Sequence, residues 1–152
     1  MAELKERLRA DLNAAMRARD QVRMRTLRMA LTSITNEEVA GAAARDLTDD
    51  EIVKVLTREA RKRREAAEAF SAAERGDQAA AERAEGEVLA GYLPAQLSDD
   101  ELAALVDAAI AETGASGMAS MGQVMKTVTP RVAGRADGAR VAAEVRRRLT
   151  AG

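Results

Sequence analysis

The spacing of apolar positions predicts helices along nearly the whole chain. Leu4, Leu8, Leu12 and Met16 recur at four-residue steps and place a first helix over Ala2–Arg19. Asp20 stands where an N-cap belongs, and Val22, Leu27, Leu31 and Ile34 give a second helix an apolar stripe as far as about Val39. "AGAAARD", residues 40–46, is small and weakly patterned and reads as a loop. "LTDDEI" at Leu47–Ile52 and "LSDDEL" at Leu97–Leu102 then mark two helix starts. Each is a capping box, in which Thr48 or Ser98 accepts from the third helical amide while Glu51 or Glu101 reaches back to the cap. Leu47 with Ile52, and Leu97 with Leu102, are placed as hydrophobic staples, and the acidic first turns suit the positive end of the helix dipole. A third helix is expected over Asp49–Ala73, stopped by Gly76. A fourth runs from Asp77 to Gly91–Tyr92, because Leu93, preceding Pro94, is pushed out of helical space. A fifth spans Asp99–Glu112 and ends at Thr113–Gly114.

Farther on, Met118, Met121, Val124, Met125 and Val128 fall within about one third of a helical wheel, which predicts a buried stripe rather than a methionine metal site. Gly122 borders that stripe and would let a neighbouring helix approach. This sixth helix is expected to end before Pro130, with Gly134 supplying a flexible or left-handed position in the connection. Asp137 then caps a seventh helix whose apolar face is Val141, Val145 and Leu149. The stretch "TPRVAGRADG" therefore reads as a joint between helices, and it lacks the strand, the spacing and the lysine of a phosphate-binding P-loop. No run alternates β-branched with polar residues. The pattern predicts an all-α protein: a four-helix bundle-like domain over residues 1–93, then a small three-helix domain over residues 94–152.

Composition narrows the chemistry. The 152 residues include one Phe, one Tyr and no Trp, so Leu, Val, Ile, Met and Ala must form the core. There is no cysteine, which excludes disulfides and thiolate metal sites, and no histidine, which removes the usual general base and metal ligand. Ser33, Ser71, Ser98, Ser116 and Ser120 have no spacing to Lys5, Lys54, Lys62 or Lys126 that recommends a Ser–Lys pair. Adjacent carboxylates such as Asp49/Asp50 and Glu37/Glu38 diverge by about 100° on a helix and do not converge on one substrate. No catalytic residue, metal or cofactor is assigned. No apolar run is long enough to span a bilayer, and "MAELKERLRA" lacks a signal-peptide core; a cytoplasmic location is expected.

Charge adds a pattern that the overall value of −1 conceals. Residues 1–30 hold eight basic and four acidic side chains, residues 91–120 hold none and five, and residues 121–152 hold seven and two. One reading is an acidic helix attracting basic ones, with the remaining charges solvated; the other is a basic surface for a polyanion. Arg61–Arg64 are four consecutive cations that fan around a helix, so at least one must lie near its buried side. On the seventh helix Arg140, Glu144, Arg147 and Arg148 lie opposite the apolar face, and Lys126, Arg131 and Arg135 are placed to join them. Lys126, Arg131, Arg135, Arg140, Arg147 and Arg148 form the best candidate for binding nucleic acid. With so few aromatics the surface would read backbone phosphates and the shape of structured RNA rather than stack on bases.

"LRMALTSITNEEV", "LTDDEIVKVLTREARKRREAAEAF", "YLPAQLSDDEL" and "MGQVMKTVTPRVAGRADGARVAAEVRRRL" occur in this order over nearly the whole chain. Together they resemble the YqeY proteins of the GatB/YqeY family, and the second half is similar to the tail domain of GatB. GatB is a subunit of the amidotransferase that converts misacylated glutamyl- or aspartyl-tRNA with glutamine as nitrogen donor. The resemblance implies a helical bundle followed by a three-helix domain, and contact between that domain and the body of a tRNA. By position, "GQVMK" at Gly122–Lys126 and "GRADG" at Gly134–Gly138 match the tail's pattern. The parts of GatB that phosphorylate the acyl group, and the amidase subunit, have no counterpart here. The carbon–nitrogen ligase label is thus inherited by association. The expectation is a translation-linked accessory, with tRNA and amidotransferase or aminoacyl-tRNA synthetase proteins as partners. The alternative is a protein–protein interaction adaptor with neither a nucleic-acid nor a catalytic role.

Overall fold

A computed structural model of the chain describes residues 2–151. Among these are seven α-helices and a single 3-10 turn, with no strand, so the all-α expectation holds. The chain divides into two compact units, Met1–Leu93 and Pro94–Gly152.

The first unit contains α1 (Glu3–Ala18), α2 (Gln21–Glu38), α3 (Asp49–Ala72) and α4 (Gly76–Ala90). α2 packs against the other three. Leu8, Leu27, Ile34, Ile52, Leu56 and Leu89 are fully buried in its core, where Tyr92 is the sole aromatic side chain. Both capping boxes form as the sequence indicates, at Thr48 for α3 and at Ser98 for α5. The face that α1 buries differs from the expected row. Lys5, Leu8 and Ala15 point inward, Leu4 and Leu12 are half-buried, and Met16 is 45% exposed. A step of four residues overshoots one helical turn by about 40°, so a row read at that step winds off the core.

Lys5 is buried because it has a partner. Its ammonium donates to both carboxylate oxygens of Glu38, at 2.8 and 2.9 Å, and the Leu47 amide donates to the same carboxylate at 3.4 Å. One carboxylate thus ties α1 to the end of α2 and to the entrance of α3. The hydrogen bond from Lys5 lowers the Glu38 pKa from its ordinary 4.5; burial opposes this, and the Leu47 amide and the charges of Lys5 and Arg9 assist. A second polar group joins α2, α3 and α4. Arg63 pairs with Glu85 at 3.3 Å and Glu82 at 3.4 Å, Arg25 pairs with Glu85 at 2.7 Å, and Ser33 donates to the buried Glu59 at 3.1 Å. Of the four consecutive cations, Arg63 is the one whose head is held inward by carboxylates of α4.

The second unit contains α5 (Asp99–Thr113), a 3-10 turn (Met118–Ser120), α6 (Met121–Val132) and α7 (Gly138–Ala151), with all three helices in mutual contact. Leu102, Val106, Val124, Val128, Val132, Val141, Val145 and Leu149 form its core. Ahead of α5, the Leu97 amide donates to the Arg135 carbonyl at 2.8 Å and ties the entry to the α6–α7 connection.

Four local expectations are corrected. Met118 sits in the 3-10 turn at 43% exposure, so the buried stripe begins at Met121. α6 runs through Pro130 to Val132; a proline in the last turn forfeits one backbone bond, while the extra turn brings Val132 to 3% exposure. A Cβ at Gly122 would meet nothing within 4 Å, so no neighbour approaches there. Gly76 starts α4 instead of stopping α3: the left-handed position falls on Glu74 (φ 60°), and the Arg75 amide closes the turn on the Phe70 carbonyl at 2.8 Å. Gly114 (φ 66°) does end α5 as expected.

Replacing Lys5 with Met strands the Glu38 carboxylate and is expected to cost about 3–5 kcal/mol in chemical denaturation, whereas Lys5→Met with Glu38→Leu should return close to the wild type. Because the Glu38 pKa is lowered on folding, its contribution is present above pH 4.5 and is lost as pH falls from there through the folded value. Acid titration of the double variant should lack that component.

Candidate nucleic-acid interface

The second unit holds seven cations and seven carboxylates, so its surface is set by how they are arranged. Asp137 fixes where α7 begins. It is buried, and its side chain accepts from the Arg140 amide at 3.0 Å while its carbonyl takes the Val141 amide. From that start, Val141, Val145 and Leu149 must face the core, and Arg146 and Arg147 must face water.

The candidate residues occupy distinct settings. Arg131 on α6 pairs with Glu112 on α5. Arg140 on α7 pairs with Asp99 at 2.8 Å, and Arg148 pairs with Asp107 at 3.3 Å. These three bridges bring the acidic helix against the basic ones. Arg135 turns back on its own chain, donating to the carbonyls of Arg131 at 2.9 Å and Val132 at 3.2 Å, where it closes the end of α6. Arg147 and Arg148 share Glu144, at 2.7 and 3.0 Å. The hydrogen bond from Arg147 is the main cause of a lowered Glu144 pKa, opposed by burial and helped by Arg148. Glu144 in turn raises the Arg147 pKa.

Lys126 stands opposite the buried face of α6, exposed and with no ion pair among the described residues. The sequence pattern alone did not single out Arg146, which is exposed and likewise without an ion pair among the described residues. Its signal was the run Arg146–Arg148: one member of such a run points at the core edge and the other two do not. Lys126, Arg146 and the 61% exposed side chain of Arg147 are the cations of this unit most open to an incoming anion.

Among the described residues no group of three acidic side chains is placed to hold a metal ion, and no helix is long and apolar enough to cross a membrane. Two helical units with cation-bearing surfaces define the general class. The chain belongs to the YqeY family: the family profile, described as Yqey-like protein, matches residues 5–149. It is also similar to "Altered inheritance of mitochondria protein 41, mitochondrial" of Clavispora lusitaniae (strain ATCC 42720), with 33% identity over 97 residues. That match covers 62% of this chain and 55% of the relative, so the chain spans about half the relative's length.

Asp137→Ala removes the cap of α7 and is expected to lower stability by about 0.5–2 kcal/mol, measured by urea unfolding. Arg147→Ala removes an exposed arginine from a Glu144 that Arg148 still holds at 3.0 Å, and should stay within about 0.5 kcal/mol of wild type.

Proposed function

We propose that this chain is a tRNA-binding accessory of tRNA-dependent amidation, contacting the phosphate backbone through Lys126, Arg131, Arg135, Arg140, Arg147 and Arg148. The observation that carries the reading is the outward placement of Lys126 and Arg147, together with Arg146, on helices whose opposite faces are apolar. Surface ion pairs contribute only about 0–1 kcal/mol each, so a phosphate can displace a carboxylate from Arg131, Arg140 or Arg148 at little cost. Tyr92 is buried and Phe70 half-buried, which leaves backbone contact rather than base stacking as the mode of recognition. The resemblance of the second unit to the tail domain of GatB supports the link to amidation, in which the chain assists and does not carry the chemistry.

The role of each arginine within the unit decides the test. Arg131, Arg140 and Arg148 face carboxylates of α5 and Arg135 closes α6, so reversing them sets like charges against each other within the unit as well as removing cations. Lys126→Glu with Arg146→Glu and Arg147→Glu leaves those bridges in place. Titrated with tRNA at several salt concentrations, the wild type should give a log–log slope of about −0.9 per helical phosphate contacted. The triple variant should bind more weakly with a shallower slope and an unchanged helical circular dichroism spectrum. Binding that is absent, or indifferent to salt, rejects the proposal. Glutamine-dependent amidation should require further subunits and be undetectable with this chain alone.

A second reading, a protein-interaction adaptor, draws on the three bridges by which α5 neutralises cations of α6 and α7. It expects a tagged copy to retain a protein partner after nuclease treatment.

A further inference from the structure

Arginines of this chain commonly sit beside carboxylates. Arg25, Arg45, Arg58, Arg61 and Arg63 do so in the first unit, and Arg131, Arg140, Arg147 and Arg148 in the second. Around the turn joining α1 to α2, several do not. Arg17, Arg19, Arg23 and Arg28 fall within twelve residues and are all exposed, and none has a carboxylate of the described residues within ion-pairing distance. Asp20 is the only acidic residue in that stretch, and its side chain is engaged by the Arg23 amide at 3.1 Å as the cap of α2. The turn is also fixed in shape. Arg19 takes the left-handed conformation at φ 57°, its amide donates to the Met16 carbonyl at 3.2 Å, and the Asp20 amide reaches the Ala15 carbonyl at 3.0 Å. α2 has no acidic side chain in its first turn, whereas α3 and α5 each have three. Arg17, Arg19 and Arg23 flank this joint and Arg28 lies two turns into α2, and no ion pair among the described residues offsets their charge.

From this placement we infer that the α1–α2 joint is an additional contact surface for the sugar–phosphate backbone of a structured RNA, through Arg17, Arg19, Arg23 and Arg28. The inference rests on the RNA-binding reading for its class of partner, but on residues of the other unit. Phosphate fits this set for three reasons. All four cations are arginine, whose planar fork grips phosphate oxygens in pairs. A run of regularly spaced negative charges matches cations spread over two helices better than a single small anion would. The apolar face that anchoring in a lipid surface requires is missing, since Met16 is the one exposed large apolar side chain beside the arginines.

The test compares the full chain with two charge-reversal variants, using fluorescence anisotropy with a labelled tRNA transcript from low to physiological salt. One variant carries Arg17→Glu, Arg19→Glu and Arg23→Glu; the other is the Lys126, Arg146, Arg147 variant above. The joint variant is expected to bind roughly tenfold more weakly at low salt, with a slope shallower by about 0.9 for each helical phosphate it no longer engages. A matching set of Arg→Gln replacements should give a smaller reduction in the same direction, which separates charge removal from misfolding. If the joint variants bind like wild type while the other variant is impaired, the inference fails and the RNA-binding reading stands. If the wild type does not bind the transcript, both fail. Salt-sensitive binding to anionic phospholipid vesicles, abolished by the same replacements and with no RNA binding, also overturns it.

Discussion

Lys5 and Glu38 face each other from α1 and α2 with side chains only 7% and 11% exposed. Around them the core of the first unit is built mainly from Leu, Ile, Val and Ala. Aliphatic side chains of similar size can interdigitate in more than one register, and with Tyr92 the sole aromatic in that core there is little shape to choose between the alternatives. A buried ion pair supplies the choice. Slide α1 by one turn and the ammonium leaves the carboxylate, so two desolvated charges are stranded at a cost of several kcal/mol. The Leu47 amide adds a third element to the same carboxylate, so the end of α2 and the start of α3 depend on the pair as well. An apolar substitute for both residues could be as stable. What the ion pair contributes is a single arrangement.

The same device recurs wherever helices must be matched. Arg63 and Arg25 converge on Glu85 to set α2, α3 and α4, and α5 meets α6 and α7 through Glu112, Asp99 and Asp107. The pairs differ in how far water reaches them. Glu85 is 10% exposed as a side chain, whereas Asp99 is 98% exposed. Inner pairs select the packing; outer ones contribute little stability and can exchange partners. A surface made of exchangeable pairs is compatible with binding a polyanion, because each displaced carboxylate remains solvated after the exchange.

Much of this was legible in the sequence, and the limits are physical. Capping boxes are local, since all the atoms involved lie within four residues; hence "LTDDEI" and "LSDDEL" and the Asp20 and Asp137 caps read correctly. Errors arose where tertiary packing outweighed a local rule. Pro130 breaks helices as a rule, yet burial of Val132 carried α6 past it. Gly76 looked like a terminator, but Glu74 accepted the left-handed position and the helix stopped ahead of it. Lys5 was invisible as a buried residue because its partner lies 33 positions away. For the candidate interface, the opposition of acidic and basic segments could be read directly. Which arginine meets which carboxylate could not, since that depends on how α5 crosses α6 and α7.

The distribution of charge along the chain marks residues 1–30 and 121–152 as basic; the structure shows which of those cations are without an ion pair among the described residues. A cation inside an ion pair has its field partly cancelled within a few ångströms. A cation without one projects its field over the Debye length, about 8 Å at physiological ionic strength. The second unit has as many carboxylates as cations, and four of its seven cations are in ion pairs, so it presents a weaker potential than their number suggests. Four arginines accompanied by one capping aspartate present a stronger one. In a protein whose helices are matched so largely by charge, an unmatched group marks where an external partner would complete the pattern.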